Sequence, residues 1–511
     1  MTDVLKEPQA VADWLRARVS GSLHCDSRRV KVGDGFVAWP GAAVDGRRFV
    51  SNALQAGAAA ALVEQDGAEG FELDSERVVA VPGLKQMAGA IASAFHGDPS
   101  AELDVVAITG TNGKTSSAWW MAQLFTAAGC PCDVIGTLGI GRPGEALEAT
   151  GLTTPDPVLL QARLRGMVEA RTKACAIEAS SIGLMEGRLN ATRITVAVFT
   201  NFSQDHLDFH GSMADYWAAK AALFQWPDLA HAVVNRDDAQ GAALSKALAA
   251  RGLDLWTYGA EQASSLESQR PRLFARDIAF TDNGMRWVLE ERDSAGDLIG
   301  AHPVHLPLVG RYNVYNVLAV LASARALGVT LTDAIRACDA LTPVPGRMER
   351  VGSAESLPLV LVDYAHTPDA LEKALQALQP MVQQRGGALR VVVGCGGDRD
   401  ASKRPLMAAV AEREAQHVVL TSDNPRSEDP LQILRQMVTG LSHPASVCLV
   451  ADRAQAIAQA VQSADVRDVV LIAGKGHEDY QEIQGERKPF SDLVQARSAL
   501  AQRSANKGCS A

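Results

Sequence analysis

The chain has 511 residues, more than one hydrophobic core usually serves, so we expect roughly two to four domains. Its hydrophobic fraction of 47% is sufficient to fill those cores. A net charge of -10 argues against a general nucleic-acid binder, since such proteins usually carry a basic surface. We therefore expect small-molecule partners and no nucleic acid.

The sequence also bears on membranes and on redox chemistry. No signal peptide is recognisable in the polar start at Met1 to Glu7, and no apolar run is long enough to span a bilayer. The eight cysteines lack the paired spacing of a zinc site and the density of a disulfide scaffold. We expect a cytoplasmic protein with reduced thiols and no membrane partner.

In chain order, the first predicted unit covers residues 1–98 and mixes short strands with Ala-rich helices. From Asp104, strand and helix patterns alternate, which predicts a parallel sheet covered by helices, and Ile278 to Glu290 predicts a hairpin with residues 282–284 at its tip. Two prolines and a glycine near 342–346 mark a second boundary. The sequence thus predicts an α/β protein with domains 1–98, 99–342 and 343–511, the last one doubly wound and Rossmann-like.

A phosphate-binding turn is the clearest motif. The predicted strand that begins at Asp104 runs directly into Gly110, Thr111, Asn112, Gly113, Lys114 and Thr115, and an apolar helix pattern follows. Glycines let backbone N–H groups turn toward phosphate oxygens, lysine can reach the β- and γ-phosphates, and threonine can ligate Mg²⁺. Position 108 is Ile rather than Gly, so this is a shortened variant of the usual spacing. We expect ATP as a substrate, because a turn without a ligand does not require Lys-Thr at its end.

Other polar residues follow predicted strands, where α/β sheets present their chemistry. Glu178 is a natural Mg²⁺ ligand or else a helix-capping carboxylate. Residues 205–210 hold two His and two Asp. These side chains could bind a metal ion, but a loop of solvated polar groups explains them equally well. Lys220 ends a helix predicted from Met213, and for such a lysine surface solvation is the default interpretation. Gly394, Gly396 and Gly397 give an incomplete dinucleotide fingerprint, so NAD is discounted.

Together these motifs resemble those of the Mur ligases, the ATP-dependent amide-forming enzymes that build the peptide of bacterial cell-wall precursors. The similarity extends in order over nearly the whole chain. It is carried by Gly110 to Thr115, Glu178 with Ser180 and Ser181, Asn201 to Asp208, Tyr216 to Lys220, Asn313 with Asn316, Gly346 to Glu349, and Asp363 to Pro368.

The resemblance implies an N-terminal domain for the UDP-sugar substrate, a central ATPase and a C-terminal domain that closes over the site. It implies that Thr115 and Glu178 hold one Mg²⁺ and that His206 holds a second. Lys220 matches a lysine that is carbamylated to N6-carboxylysine in the family. This match reverses the expectation that Lys220 is a solvated surface residue. Asn313, Arg347 and Asp363 would engage the nucleotide.

The run Asp423, Asn424, Pro425 and Arg426 is similar to the signature of the members that add meso-diaminopimelate. Lysine-adding relatives carry a different residue in place of Arg426. The physics agrees, because a guanidinium can bind the second carboxylate of diaminopimelate through two charge-assisted hydrogen bonds, and lysine has no such group. Gly474, Glu478 and Arg399 are the further candidates for this pocket.

Other positions match those that hold the UDP-linked precursor, and two depart from the family. Residues 26–28 and 44–48 resemble the uridine-binding region, and the candidate contacts are Ser27, Thr153, Thr154, Ser180 and Arg188. Glu186 stands where better-known relatives have glutamine, and Ile182 replaces a histidine. A carboxylate near an anionic substrate is repulsive unless it is paired, so we leave Glu186 out of the site.

The implied substrates are ATP, meso-diaminopimelate and UDP-N-acetylmuramoyl-L-alanyl-D-glutamate, with two Mg²⁺ ions and a monomeric enzyme. Alternatives remain at this point: a lysine-adding member, a ligase like folylpolyglutamate synthetase, a non-catalytic sensor of the UDP precursor, or a P-loop kinase. A folylpolyglutamate synthetase has no need of the uridine-like segment or of residues 423–426. A sensor or a kinase would not require an amino acid for phosphate release.

Overall fold

The described residues form three sheets and one separate hairpin. The structure is a computed structural model that describes residues 6–41, 44–71, 76–260, 270–281, 284–352 and 356–508. We name the parts built on the three sheets the N-terminal, central and C-terminal units. In the described residues, no helix has both the length and the apolar character needed to cross a membrane.

The N-terminal unit is built on a parallel sheet with the strand order β1-β2-β3-β4. Every residue of β2 and β3 is buried, as expected for a parallel sheet that is covered on both faces. Its elements are α1 (Pro8–Arg16), β1 (Leu23–His24), β2 (Gly35–Ala38), α2 (Val50–Gln55), β3 (Ala60–Glu64), β4 (Val78–Val81) and α3 (Leu84–Phe95).

The central unit is built on a ten-stranded sheet in the order β14-β13-β12-β11-β10-β9-β5-β8-β6-β7. The strands from β12 to β6 in this order are parallel, and the alternation of strand and helix predicted from the sequence is confirmed. Its elements are β5 (Asp104–Thr109), α4 (Lys114–Ala127), β6 (Cys132–Gly136), β7 (Gly139–Gly141), α5 (Pro157–Glu169), β8 (Ala174–Glu178), α6 (Ser181–Met185), β9 (Val196–Phe199), α7 (Leu207–His210), α8 (Met213–Ala221), β10 (His231–Asn235), α9 (Ala239–Ala249), β11 (Asp254–Ala260), β12 (Leu273–Thr281), β13 (Gly284–Arg292), β14 (Leu298–Leu306), α10 (Arg311–Ala326) and α11 (Leu331–Ala337).

The predicted hairpin is present but is part of a larger antiparallel extension. Strands β12 and β13 pair antiparallel, and β14 adds to β13 at the edge of the sheet. Of the predicted tip, Asp282 and Asn283 lie outside the described residues. The sequence prediction missed β14.

The C-terminal unit is built on a six-stranded sheet in the order β15-β16-β20-β17-β18-β19, and only β15 runs antiparallel. The late strand β20 lies between β16 and β17, so helices cover both faces, as predicted for a doubly wound unit. Its elements are β15 (Glu349–Val351), β16 (Leu359–Asp363), α12 (Pro368–Arg385), β17 (Leu389–Cys395), α13 (Lys403–Glu414), β18 (His417–Ser422), α14 (Pro430–Val438), β19 (Cys448–Leu449), α15 (Arg453–Ser463), β20 (Val469–Ala473), the hairpin β21 (Tyr480–Ile483) and β22 (Glu486–Pro489), and α16 (Asp492–Gly508).

The register of the central sheet fixes where its loops meet. Strand β5 lies between β8 and β9, with Ile108 opposite Glu178 and Thr109 opposite Phe199. The three strands are parallel, so their carboxyl ends lie side by side at one edge of the sheet. The turn after β5, Glu178 and the loop that begins at Thr200 are therefore neighbours.

Candidate functional site

The turn between β5 and α4 depends on its two glycines. Gly110 has φ +145° and Gly113 has φ +87°, a region of backbone conformation that residues with a Cβ rarely adopt. A Cβ at Gly110 would lie 1.9 Å from Thr200 Oγ1, and one at Gly113 would lie 2.3 Å from Asn316 Oδ1. The tight turn directly precedes α4, so its N–H groups and the positive end of the helix share one small concave surface.

The loop after β9 holds this turn in place. Asn201 Oδ1 accepts from the Asn112 backbone N–H at 2.9 Å, and Thr200 Oγ1 donates to Asn112 O at 2.7 Å. The Thr111 N–H donates to Asn201 O at 2.8 Å. The backbone of the turn is therefore fixed before any ligand arrives.

Two lysines, the half-buried Lys114 and the buried Lys220, converge on the same carbonyl of the turn. Lys114 Nζ donates to Gly110 O at 2.9 Å, and Lys220 Nζ donates to the same oxygen at 2.7 Å. Burial lowers the pKa of both lysines, and for Lys220 the pKa falls well below its ordinary value, with the Lys114 ammonium as the next cause. The predicted helix from Met213 to Lys220 is confirmed, but surface solvation is wrong for Lys220, which is 1% exposed.

Glu178 lies against the first turn of α4. Thr115 Oγ1 donates to Glu178 Oε2 at 2.9 Å, and the Thr137 N–H donates to Glu178 Oε1 at 2.8 Å. The carboxylate fits beside the end of β6 because position 136 is glycine, where a Cβ would lie 2.2 Å from Glu178 Oε1. A hydroxyl oxygen and a carboxylate oxygen in contact form a donor set suited to Mg²⁺.

His206 lies in the loop after β9, with Nε2 3.5 Å from Asp205 Oδ2. Burial lowers the pKa of His206, and the Asp205 carboxylate only partly opposes this shift, so the imidazole is neutral near pH 7 and able to ligate a metal. Within the described ranges, no three His, Cys, Asp or Glu side chains form a complete metal cage. The donor set fits Mg²⁺ that takes its remaining ligands from phosphate and water, as this ion usually does.

A cavity of about 550 Å³ opens beside the turn, between the central and C-terminal units. Its walls include Asn112, Gly113, Asn313, Arg347 and Asp363, which the sequence had assigned to the nucleotide. Sequence reasoning missed other lining residues, for example Asn235, Asp237, Tyr258, Tyr315 and Lys373. Asn235 ends strand β10, so its position at a strand end was the one signal available for this group.

The C-terminal unit reaches into this site through Arg347 and Asp363. Arg347 Nη2 donates to Thr115 Oγ1 at 3.1 Å, and the guanidinium lies 4.6 Å from the centre of the Tyr364 ring. Asp363 Oδ2 accepts from the Met348 N–H at 2.6 Å, and burial raises the pKa of its carboxyl. Both side chains lie across the boundary from the turn that they face.

The residues assigned to the UDP-linked precursor fall into two places. Thr154 Oγ1 donates to Glu178 O at 2.7 Å and lies 2.9 Å from Ser180 Oγ, and Arg188 Nη1 donates to Thr154 O at 2.8 Å. Thr153 Oγ1 lies 3.1 Å from Thr137 Oγ1, so this group adjoins Glu178. Ser27 lies apart from the group, in a short 3₁₀ helix of the N-terminal unit.

The 3₁₀ helix that carries Ser27 is tied to the central unit by its neighbour Arg29. Arg29 forms an ion pair with Glu148, and Arg163 pairs with the same carboxylate at 2.7 Å.

The Glu186 departure also has a partner, because Arg188 Nη2 lies 2.5 Å from Glu186 Oε2. Glu186 is thus paired, and the repulsion expected of an unpaired carboxylate is removed.

The run after β18 forms a polar cluster with the loop after β20. Lys475 Nζ donates to Asn424 Oδ1 and to Glu478 Oε2, each at 3.0 Å, and lies 3.7 Å from Asp423 Oδ1. A Cβ at Gly474, which has φ +119°, would lie 2.6 Å from Asp423 Oδ2. Lys475 is fully buried and was missed as a site residue, although it directly follows the predicted Gly474.

Arg426 follows the buried Pro425 at the edge of this cluster, and hydrogen bonds of its backbone hold it in place. Its N–H donates to Glu482 O at 2.9 Å and its carbonyl accepts from the Gln484 N–H at 2.5 Å, so the hairpin β21–β22 fixes its position at φ +53°. The guanidinium donates from Nη1 to Gly397 O at 2.6 Å. Arg399 is exposed, and its Nη1 donates to the neighbouring Asp398 O at 3.1 Å.

The two halves of the site are continuous. The loop of Glu478 contains His477, whose ring lies 5.5 Å from that of Tyr364, and a Cβ at Gly346 would lie 2.1 Å from His477 N. Tyr364 in turn lies beneath Arg347, which contacts Thr115. A chain of contacts therefore leads from the cluster around Lys475 to the turn after β5.

Three family models match the chain in succession. They are the Mur ligase family, catalytic domain, at residues 21–96, the Mur ligase middle domain at residues 108–324, and the Mur ligase, glutamate ligase domain, at residues 346–476. The curated UDP-N-acetylmuramoyl-L-alanyl-D-glutamate--2,6-diaminopimelate ligase of Acidovorax sp. (strain JS42) is 54% identical over 507 residues, which cover 97% of each chain. The protein of that name from Ralstonia nicotianae is 47% identical, covering 97% of this chain and 96% of its own.

Solved structures are similar over most of the chain. A solved structure of a UDP-N-acetylmuramoyl-L-alanyl-D-glutamate--2,6-diaminopimelate ligase aligns over 94% of this chain and 95% of its own, with 35% identity and a TM-score of 0.62. MurF from Acinetobacter baumannii aligns over 96% of this chain and 97% of its own, with a TM-score of 0.68 at 19% identity, and shows the fold alone.

Gly136→Ala tests the packing of Glu178. We expect a loss of about 1–3 kcal/mol in the free energy of unfolding, because the added methyl forces a buried carboxylate out of its hydrogen bonds. Gly166→Ala in α5 is the matched control, since nothing lies within 4 Å of a Cβ there. Denaturant unfolding followed by tryptophan fluorescence measures both variants, and equal stability of the two would contradict the packing.

Proposed function

The chain belongs to the Mur ligase family, and from that premise we propose that it adds meso-diaminopimelate to UDP-N-acetylmuramoyl-L-alanyl-D-glutamate, with ATP converted to ADP and phosphate. The observation that carries the proposal is the position of Arg426. It ends a loop whose polar cluster is joined, through His477, Tyr364 and Arg347, to the phosphate-binding turn. An amino acid with a second carboxylate and an activated acid can meet in such a cleft.

The proposal includes a division of labour among three domains, 1–98, 99–342 and 343–511, that act as one monomeric enzyme. The three sheets support this division, because each has its own strand order and its own helices. The first domain would bind the uridine end of the precursor near Ser27. The second would bind ATP, and the third would bind the incoming amino acid.

The reaction has two chemical steps. The γ-carboxylate of the substrate's glutamate attacks the γ-phosphorus of ATP, the bond from that phosphorus to the bridging oxygen breaks, and the products are ADP and an acyl phosphate. The amine of diaminopimelate then attacks the acyl carbon, loses a proton, and expels phosphate to form the amide. Both steps bring anions together, so cationic groups must be held in place in advance.

Lys114 is a cation that belongs to the turn itself. Its Nζ reaches Gly110 O and Thr111 O, each at 2.9 Å, and would exchange these carbonyls for the β- and γ-phosphate oxygens. The Thr111 and Asn112 N–H groups are bonded to Asn201, so the backbone donors for phosphate would come from the amino-terminal end of α4. Arg347, on the opposite wall, would stabilise the negative charge on the transferred phosphoryl group.

Thr115 and Glu178 would hold one Mg²⁺ and His206 would hold the second, as the donor chemistry of these side chains supports. When bound, the metal ions would neutralise the negative charge that develops on the leaving oxygen of ATP. Asn313 and Asp363 would hold the nucleotide from the α10 and β16 sides of the cavity.

Lys220 would be carbamylated by CO₂. A neutral amine is the nucleophile in that reaction, and burial favours the neutral form of the Lys220 amine by lowering its pKa well below the ordinary value. The amine nitrogen bonds to the carbon of CO₂ and releases a proton to water. A buried amine next to Lys114 thereby becomes an anion, which attracts the Lys114 ammonium.

The substrate pockets follow from the remaining contacts. Thr153, Thr154, Ser180 and Arg188 adjoin Glu178 and would position the dipeptide end of the precursor. In the other pocket, Asp423, Asn424 and Glu478 would accept hydrogen bonds from the distal ammonium of diaminopimelate, and Gly474 and Pro425 would shape the wall. Arg426 would bind the distal carboxylate, and Arg399 would approach it from the exposed side.

Amino-acid dependence is the decisive test. We expect ADP formation from ATP and the UDP-dipeptide with meso-diaminopimelate, and little with lysine or without an amino acid. Dependence on lysine would favour the lysine-adding alternative, and turnover without an amino acid would favour a kinase.

Arg426→Lys should raise KM for diaminopimelate about tenfold or more, because an ammonium cannot form the bidentate contact. Exposed Arg435→Lys is the control and should not change KM.

Lys114→Ala should lower the rate of ADP formation by roughly a hundred- to a thousandfold, because it removes a preorganised cation from the phosphoryl group. Binding of the UDP-dipeptide, measured by titration calorimetry, should survive. Lys85→Ala, at an exposed position of α3, is the control. Retained turnover in Lys114→Ala would refute the assigned role.

Carbamylation of Lys220 is measurable by ¹³C NMR after incubation with ¹³C-bicarbonate. We expect a protein-bound carbamate signal that is absent from Lys220→Ala and present in Lys246→Ala, which alters an exposed lysine of α9. The signal should fade as the pH falls, because protonation of the amine removes the nucleophile. A folded wild-type protein without the signal at neutral or mildly alkaline pH would disprove the modification.

A further inference from the structure

Asp369 crosses from the C-terminal unit to the phosphate-binding turn. It lies in the first turn of α12, which Thr367 caps by accepting from the Ala370 N–H at 3.2 Å. Its Oδ2 accepts from Asn112 Nδ2 at 2.8 Å and from Ser203 Oγ at 3.2 Å. One carboxylate oxygen therefore joins α12 to the loops that follow both β5 and β9.

Asn112 is suited to receive such a contact. Its backbone N–H and C=O are already bonded to Asn201 and Thr200 within the central unit. The side-chain amide is the part of the residue left to interact elsewhere, and it points to Asp369. A displacement of Asp369 would therefore displace the turn directly, through the side chain of Asn112.

Ser203 ties the second loop to the same point. The Ser203 N–H donates to Thr111 Oγ1 at 3.0 Å, and Thr111 Oγ1 donates to Ser203 O at 3.0 Å. Thr111 and Ser203 thus move together, and Asp369 contacts both loops at their junction. On the other flank of the turn, Arg347 contacts Thr115, so the C-terminal unit holds the turn at two separate positions.

A carboxylate beside a site for phosphates is costly unless its charge is balanced. Lys373, one helical turn further along α12, lies 3.0 Å from Asp369 Oδ1. The amino-terminal end of α12 also favours an anion in its first turn. The local charge is therefore compensated without drawing on the cations of the turn.

We propose that Asp369 is a positioning residue, a latch that couples closure of the C-terminal unit to the geometry of the phosphate-binding turn through Asn112. The latch acts before chemistry, by selecting the arrangement in which Arg347 and the turn face each other. It rests on the proposed ATP-dependent ligation for its catalytic consequence. Its structural consequence is independent of that function.

The first test is a double-mutant cycle read as kcat/KM for ATP in ADP formation by the full chain. We expect Asp369→Ala to lower kcat/KM about tenfold, and Asn112→Ala to add less than about a twofold loss in that background, because the two changes break the same bond. Independent, multiplying effects would overturn the proposal, as would an unchanged kcat/KM in Asp369→Ala.

Two further variants separate the latch from a helix-capping role. Asp369→Asn retains an acceptor oxygen for Asn112 and should remain within about threefold of the wild type. If it behaves like Asp369→Ala, the negative charge at the helix end is what matters, and the latch is wrong. Glu372→Ala is the matched control on α12, since Glu372 pairs with Arg413 inside the C-terminal unit, and kcat/KM should not change.

Hydrogen exchange of the ligand-free protein tests the latch without any turnover. We expect amides of residues 110–115 to exchange about tenfold faster in Asp369→Ala than in the wild type or in Glu372→Ala, because the turn loses its outer support. Equal exchange in all three would overturn the latch. A wild type that exchanges as expected but forms no ADP would instead refute the proposed function and leave the latch supported.

Discussion

The adjacency of three parallel strands, β9, β5 and β8, is the constraint on which the site depends. Their register brings the turn after Thr109, the carboxylate of Glu178 and the loop after Phe199 to one edge of the sheet. Each then restrains the others through Thr200, Asn201 and Thr115. A phosphate-binding turn is thereby rigid in the absence of ligand, which limits the reorganisation that catalysis requires.

A second theme is the burial of charge beside the turn that we propose binds ATP. Lys114 and Lys220 share one carbonyl oxygen and both have lowered pKa values because water is excluded. Such a pair is unfavourable as two ammonium groups, so the site is poised to accept negative charge. Phosphate binding and conversion of one lysine to an anion both satisfy that need.

The C-terminal unit completes this site from across a boundary. Arg347 contacts the hydroxyl of Thr115 and Asp369 contacts the amide of Asn112, so the turn is held from two sides. The same unit carries the cluster around Lys475, which is continuous with Arg347 through Tyr364 and His477. In the proposed mechanism, closure of the C-terminal unit would arrange both the nucleotide cavity and the pocket proposed for the second substrate.

The sequence by itself determined the α/β class, the turn at residues 110–115 and the helix that ends near Lys220, because each depends on local periodicity or on glycines in a short motif. It could not determine that Lys220 is buried or that Glu186 is paired with Arg188, because burial and pairing depend on which elements pack together. Asp369 and Lys475 became visible only in the folded chain, since their partners are distant in sequence or lie in a buried cluster. Tertiary structure decided these points because strand order, which no local pattern encodes, sets which loops meet.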